Sequence, residues 1–254
     1  MELLPGIVAD KTALYLPPSK TLILADLHIG YEEERRRDGV LLPREQKKYF
    51  KKELDRLFRK YEIENVILAG DIKHEFGTIS REEWFEVQEF ITSIRERGAS
   101  VETIQGNHDV FIGPILERLR ITLKKYLIVK NGEEKILVVH GDVTLDNLQD
   151  EGLDEKDLEE VSTIIMGHEH PVARITDDLR TETVKCFLVG EHKHRRKKQK
   201  LVVMPSWNPL TMGIDVVQER PLGPLLVEFT GFSAFAVVER KVLAFGRVER
   251  LRRL

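Results

Sequence analysis

TIIMGHEHP (163–171) passes from a short apolar run straight into a polar loop holding two histidines, His168 and His170, one residue apart. The run STIIM (162–166) shows no polar alternation, the pattern of a strand buried on both faces. Two imidazoles can grip a metal ion but leave its shell incomplete. If the loop is a metal site, its missing ligands must stand at comparable places elsewhere in the chain.

Four further apolar runs end in the same way. TLILA (21–25) leads into Asp26 and His28, and NVILA (65–69) into Gly70 and Asp71. VETI (101–104) is followed by Gly106-Asn107-His108-Asp109, and KILVV (135–139) by His140-Gly141-Asp142. Each cluster alone has an ordinary explanation as a solvated loop, a glycine turn or a helix cap. All five at the ends of apolar runs are not explained that way.

Helical patterns separate the early runs. In PREQKKYFKKELDRLFRKYE (43–62), Phe50, Leu54, Leu57, Phe58 and Tyr61 share one face. SREEWFEVQEFITSIRERG (80–98) opens on a capping box of Ser80 and Glu83 and ends at Gly98. Between them runs a stripe of Trp84, Val87, Ile91 and Ile94. Strand alternating with helix predicts an α/β layered core. In such sheets ligands bind beyond the carboxyl ends of the strands, so the five clusters are expected to face one crevice. Their donors are oxygen and imidazole, a set suited to hard-to-borderline divalent ions. Seven groups (Asp26, His28, Asp71, Asn107, His140, His168 and His170) exceed what one ion needs. Two ions sharing the Asp71 carboxylate would use them all, as in the two-ion clamp for phosphoryl displacement.

After Lys124 the pattern turns to β. YLIVKNGEEKILVV (126–139) reads as a hairpin across Asn131-Gly132. Short strands are expected around 171–176, 184–190, 200–204, 225–229 and 234–247. A second sheet packed on the first is the economical arrangement, giving one domain over 1–254 with its core at 8–215 and a C-terminal β segment at 216–254. Two charge blocks stand out: acidic 142–160 (DVTLDNLQDEGLDEKDLEE) and basic 192–200 (HKHRRKKQK), the latter expected at a hairpin tip.

One third of the residues are charged, yet the formal net charge is −3, so any nucleic-acid binding must rest on local patches. The single cysteine, Cys186, excludes an internal disulfide and reads as core. No apolar run approaches the roughly 18 residues that span a bilayer. A cytoplasmic protein without membrane contact is the expectation.

The ordered set D-x-H, G-D, G-N-H-D, H-G-D and G-H-x-H resembles the signature of calcineurin-like metallophosphoesterases over about residues 21–172. The resemblance implies an α/β fold of two mixed β-sheets packed as a sandwich and flanked by helices. It implies Asp26, His28, Asp71 and His170 around one ion, and Asp71, Asn107, His140 and His168 around a second. His108 would act on the leaving group or a phosphate oxygen, with Asp109 orienting it. GDIKHEFG (70–77) and PSWNPLTMG (205–213) resemble a narrower branch related to SbcD-type DNA nucleases, extending the likeness to about residues 8–215. That branch includes ligase- or helicase-associated DNA phosphoesterases, which implies such partners. With Leu254 as its last residue, the chain is expected to lack the DNA-capping domain of the large repair nucleases. It also lacks the Asp-Arg-Gly that follows G-D in protein phosphatases.

The expected chemistry is hydrolysis of phosphodiester bonds, DNA favoured, by hydroxide held between two divalent ions, with His108 assisting the leaving oxygen. Mn²⁺ is the preferred ion, with Fe²⁺, Zn²⁺, Co²⁺ and Ni²⁺ open. The alternative is a small-molecule phosphodiesterase or phosphatase acting on cyclic or modified nucleotides. A non-catalytic scaffold ranks last, because all seven ligands are present. His74 and Lys73 are candidate substrate contacts, as are Lys193, Arg195, Arg196, Lys197 and Lys198 of the basic block, whose bland reading is a solvated loop. Asp142 and Glu169 are expected to orient neighbouring histidines. Trp207 could stack on a base, with core packing the first expectation.

Overall fold

The computed structural model describes residues 1–176, 181–239 and 241–251, so the end of the expected C-terminal segment lies outside the described residues. The first sheet takes the order β1 (Glu2–Leu4), β2 (Ile7–Asp10), β3 (Ala13–Leu16), β4 (Thr21–Leu24), β5 (Asn65–Ala69), β6 (Ser100–Ile104) and β7 (Leu123–Lys124). Its first four strands form an antiparallel meander, and β4 to β7 run parallel. The meander was not expected from the sequence. Its strands have three or four residues each, too few to show a period.

The second sheet is built from β8 (Tyr126–Asn131), β9 (Glu134–Val139), β10 (Val161–Met166), β11 (Val172–Thr176), β12 (Thr181–His194), β13 (Lys197–Val203), β14 (Ser233–Val238) and β15 (Lys241–Arg247). Seven of them follow the order β15-β14-β12-β13-β10-β9-β8, and β11 pairs with β12. β9, β10 and β13 are mutually parallel, and the outer pairings are antiparallel. Both sheets are therefore mixed.

Alternation inside the apolar runs explains the layers. Leu22, Leu24, Val66 and Leu68 point outward, onto helices α2 (Gln46–Lys60) and α3 (Arg81–Glu96). Ile23, Ala25, Ile67 and Ala69 point inward, against Ile136, Val138, Ile165 and Val202 of the second sheet. The outer face of that sheet, with Leu137, Ile164 and Leu201, is covered by α5 (Leu145–Asp150), α6 (Glu155–Glu160) and the segment holding Leu225, Leu226 and Phe229. Shorter helices α1 (Tyr31–Arg37), α4 (Gly113–Arg118) and α7 (Val248–Leu251) complete the set. Each apolar strand is buried on both faces because the two sheets pack on each other and helices cover them outside. That is the sandwich the resemblance implied.

Ser80 and Glu83 form the capping box, with Ser80 Oγ accepting from Glu83 N and Glu83 accepting from Ser80 N. Two expectations need correction. The β8–β9 hairpin turns on Gly132-Glu133, one residue later than expected, because buried Asn131 is still a strand residue paired with Glu134. Its side chain donates to Gly6 O and accepts from Ser19 N, anchoring loops of the first sheet. The segment 225–229 is not a strand. It covers the second sheet with side chains and makes no ladder bonds, following Pro221 and Pro224, which lack a donor.

Candidate metal centre

The clusters after β4, β5, β6, β9 and β10 meet at the carboxyl ends of the parallel strands of both sheets. The loops after β4 and β5 continue side by side past the sheet: Asp26 N donates to Gly70 O, His28 N to Asp71 O, and Ile29 N to Ile72 O. Across the sandwich, His168 N donates to both carboxylate oxygens of Asp26 at 3.1 Å. Gly167 N bonds His140 O, joining the loops after β9 and β10. Gly106 lets the loop after β6 approach, since a Cβ there would lie 2.4 Å from Asp71 N.

Two groups of donor atoms result, each with all members within 4.8 Å of one another: Asp26, His28, Asp71 and His170, and Asp71, His140 and His168. Asp71 belongs to both. Asn107 Oδ1 stands 3.1 Å from His140 Nε2, beside the second group. The sequence is thus brought together at all seven positions. Inside the cluster, nitrogens face nitrogens: His28 Nε2 and His170 Nε2 are 3.3 Å apart, and His168 Nδ1 and His140 Nε2 are 3.1 Å apart. Asp26, His28, Asp71 and His140 are buried. Lone pairs converging in this way, with carboxylates among them and little water, fit a divalent cation.

Charge is strongly coupled here. Burial opposes ionisation of Asp71, yet facing His140, His28 and His108 hold its carboxyl well below the usual range. Burial also opposes a charge on His140, but Asp71 and then Asp26 push it up to about 10. Burial, with His170 beside it, drives His28 well down, and burial with His140 lowers His168.

The backbone is unusual as well. Asp26 (φ 57°), His28 (45°), Asp71 (49°), His168 (67°) and His170 (44°) all take left-handed conformations. Such values are uncommon outside glycine and cluster where the surroundings over-determine them. Here the surroundings include residues that the sequence motifs did not assign to the site. Ser206 Oγ donates to Asp26 O at 2.8 Å, Trp207 N to Ala25 O, and both Gln46 Nε2 and Asn208 Nδ2 to His28 O. Gly213 lies so close that a Cβ would come 1.5 Å from His170 O, which gives the PSWNPLTMG stretch a physical role. β13 ends there, parallel to β10, as a sixth strand feeding the site.

His108 stands beside the shared carboxylate. Its N donates to Asp71 Oδ1 at 3.0 Å and its Nε2 lies 3.8 Å from Asp71 Oδ2. Its Nδ1 bonds the His74 carbonyl, which can only accept, so Nδ1 carries hydrogen and Nε2 faces the site. Burial lowers its imidazole, with Asp71 opposing. His74 joins His28 and His108 in a third close group, with Nδ1 3.2 Å from His28 Nδ1 and Nε2 paired with Glu34.

Several expected roles are corrected. Asp109 does not orient His108. Its fully buried carboxylate accepts from Gly106 N, Ile72 N and Lys73 N, binding the β5 and β6 loops together, and burial beside Asp71 pushes it up to about 7. Lys73 is fully buried with its ammonium on Glu75 O, so it is not a substrate contact. Glu169 accepts from Leu222 N and Gly223 N, pinning the C-terminal segment against the site. Asp142 is the smallest of the influences on His140 and His168, adding to the rise of the first and opposing the lowering of the second.

The basic block is a hairpin tip, with Arg195 and Arg196 between β12 and β13. It docks on the acidic block. Arg195 pairs with Asp146 and Glu155, Lys197 donates to Leu158 O and Glu159 O, and Lys198 and Lys200 pair with Glu191. Arg195 and Lys198 remain more than half exposed while making these pairs, and Lys193 and Arg196 are exposed as well. Cys186 is core, and Trp207 is buried and stacks on Phe50 at 4.6 Å.

No helix among the described residues is long and apolar enough to cross a membrane. The family model described as the calcineurin-like phosphoesterase superfamily domain matches residues 20–205. Among solved structures, the nuclease MPE of Pseudomonas putida is similar over 92% of both chains, at 19% identity and a TM-score of 0.59. YfcE, a phosphoesterase from E. coli, matches over 89% of this chain and 98% of its own, at 13% identity and a TM-score of 0.43. No curated protein matches the sequence.

Proposed function

Because the chain belongs to the calcineurin-like phosphoesterase superfamily, we propose that it is a phosphodiesterase that works with two divalent ions and cuts phosphodiester bonds in nucleic acid, single-stranded DNA first. The observation carrying this reading is the pair of donor groups that share Asp71. Asp26, His28, Asp71 and His170 would hold one ion, and Asp71, Asn107, His140 and His168 the other, with Mn²⁺ favoured by the oxygen and imidazole donors. Bound ions would supply positive charge against the phosphate and a water of lowered pKa.

The protein's own groups do the rest. His108, locked through Nδ1 by the His74 carbonyl, presents Nε2 beside Asp71, where it can hold a proton for the departing oxygen. His74, paired with Glu34 through Nε2, would brace the His28 imidazole through Nδ1, 3.2 Å away. Asp109 and Glu83 keep the loop beneath both histidines in place, Glu83 accepting from His74 N and Glu75 N. The motifs GDIKHEFG and PSWNPLTMG support the nucleic-acid choice, and with it a ligase or helicase partner. The likeness to the Pseudomonas nuclease points the first assay at polynucleotides.

One observation favours a second reading, a phosphodiesterase or phosphatase for small nucleotides. The basic hairpin pairs with the acidic segment and Glu191, which weakens its attraction for a long polyanion. Mn²⁺-loaded protein assayed on single-stranded DNA, RNA, bis(p-nitrophenyl) phosphate and the monoester separates them. The first reading expects polynucleotide cleavage; cleavage of the small diester without it would transfer the assignment to the second.

A further inference from the structure

The loop after Asp71 carries an aromatic side chain that the metal chemistry does not use. Phe76 is 57% exposed, yet its ring centroid lies 3.6 Å from that of His108 at an angle of 37°. An exposed phenylalanine is unremarkable by itself. This one sits a single side chain away from the carboxylate shared by both donor groups. His108 packs against the ring, and more than half of the residue is exposed.

The loop beneath it is tied down. Glu83 accepts from His74 N and Glu75 N, Lys73 donates to Glu75 O, Arg37 pairs with Glu75, and His108 bonds His74 O. The ring is thus held from behind, and placing a flat group on it costs little ordering, since phenylalanine has only two side-chain torsions. Two cations of this loop are paired within the protein: Lys73 is buried on Glu75 O, and Arg37 pairs with Glu75. An exposed ring at this place offers a nucleotide a stacking contact, which tolerates every base because each has a π-face.

We propose that Phe76 is a base-stacking subsite: its exposed ring receives the nucleobase next to the phosphate being cut. The subsite rests on the phosphodiesterase reading above. It requires an unpaired base, because a base inside a duplex already has both faces covered. It also makes Phe76 a specificity residue for nucleotides over simple diesters.

The test is a mutant–substrate cycle on Mn²⁺-loaded protein. Wild type, Phe76→Ala, Phe76→Leu and Phe76→Tyr are assayed on a single-stranded oligonucleotide and on one whose bases flanking the cut are abasic. Metal content and thermal stability of each variant confirm that the site is intact. Phe76→Ala and Phe76→Leu are expected to lower kcat/KM on the normal strand by about tenfold, and Phe76→Tyr to retain it. On the abasic strand all four should converge, and the loss should persist at high salt, as stacking does. Phe85, 58% exposed on α3, serves as the control whose alanine variant changes nothing. Equal losses on both strands would mean that Phe76 merely shields His108, and no loss on the normal strand would also overturn the subsite. Wild-type protein that cleaves no phosphodiester at all would remove the underlying reading and the subsite with it.

Discussion

Two regions of this molecule are crowded with charge, and they handle it in opposite ways. At the strand ends, donors of the same kind are forced together: histidine nitrogens face one another at 3.1 and 3.3 Å, with buried Asp26 and Asp71 between them. Along the 192–200 hairpin, cations meet the acidic 142–160 segment and Glu191, and the charges cancel at the surface. The first arrangement crowds histidine nitrogens against buried carboxylates, a donor set that suits an added cation. The second is complete in itself. Density of charged residues along the chain does not distinguish these cases; what matters is whether neighbours are alike or opposite.

The sharpest way to break the contrast is to remove the shared carboxylate. Asp71→Asn should cut activity by more than about 10³-fold and lower the bound metal measured by elemental analysis. Full metal content in that variant would end the two-group picture. Next in size, His108→Ala should keep its metal while kcat falls about 10²–10⁴-fold.

A third effect concerns pH in the metal-free protein. His140 is pushed up to about 10 by Asp71 and Asp26 against its burial, so their attraction stabilises the fold fully below the ordinary histidine range near 6.5. That contribution is lost as pH rises through about 10. Asp71, held low by the same attraction, contributes above the ordinary carboxyl range and loses its part in acid. The stability difference between wild type and His140→Ala in metal-free urea titrations, which isolates this contribution, should therefore shrink from about pH 6.5 to 10. Added Mn²⁺ should reverse the slope, because the ions displace these protons and bind better as pH rises.

Smaller still, Gly106→Ala should cost about 1–3 kcal/mol in urea denaturation and weaken metal binding, since its Cβ would strike Asp71 N. At the other region, Arg195→Ala should cost less than about 1 kcal/mol, because its side chain is 53% exposed and its ion pairs are screened. A loss at the hairpin as large as that at Gly106 would erase the comparison.

Much of this was legible in the chain. The five runs ending in Asp, His and Asn named the strands, the shared crevice and the seven donors, because strand ends and metal-competent side chains leave local signatures. The capping box at Ser80 and Glu83 was equally readable, but not that Glu83 also holds the loop under His74 and His108. Asp109 could be placed near the site, yet its role as an acceptor for three backbone donors depends on two loops meeting. Lys73 looked available beside Asp71, and packing buried it. Phe76 stood inside GDIKHEFG with nothing to mark a role of its own, since a lone exposed aromatic has no period and gains meaning only from the ring it touches.

What the amino-acid order determined by itself was the set of elements and the identity of the donors, since burial on two faces and ligand chemistry are properties of short segments. Tertiary structure alone decided which charges would face like partners and which opposite ones. That outcome depends on contacts between residues as far apart as Asp26 and His168, or Arg195 and Asp146, and no local pattern encodes distance across the sandwich.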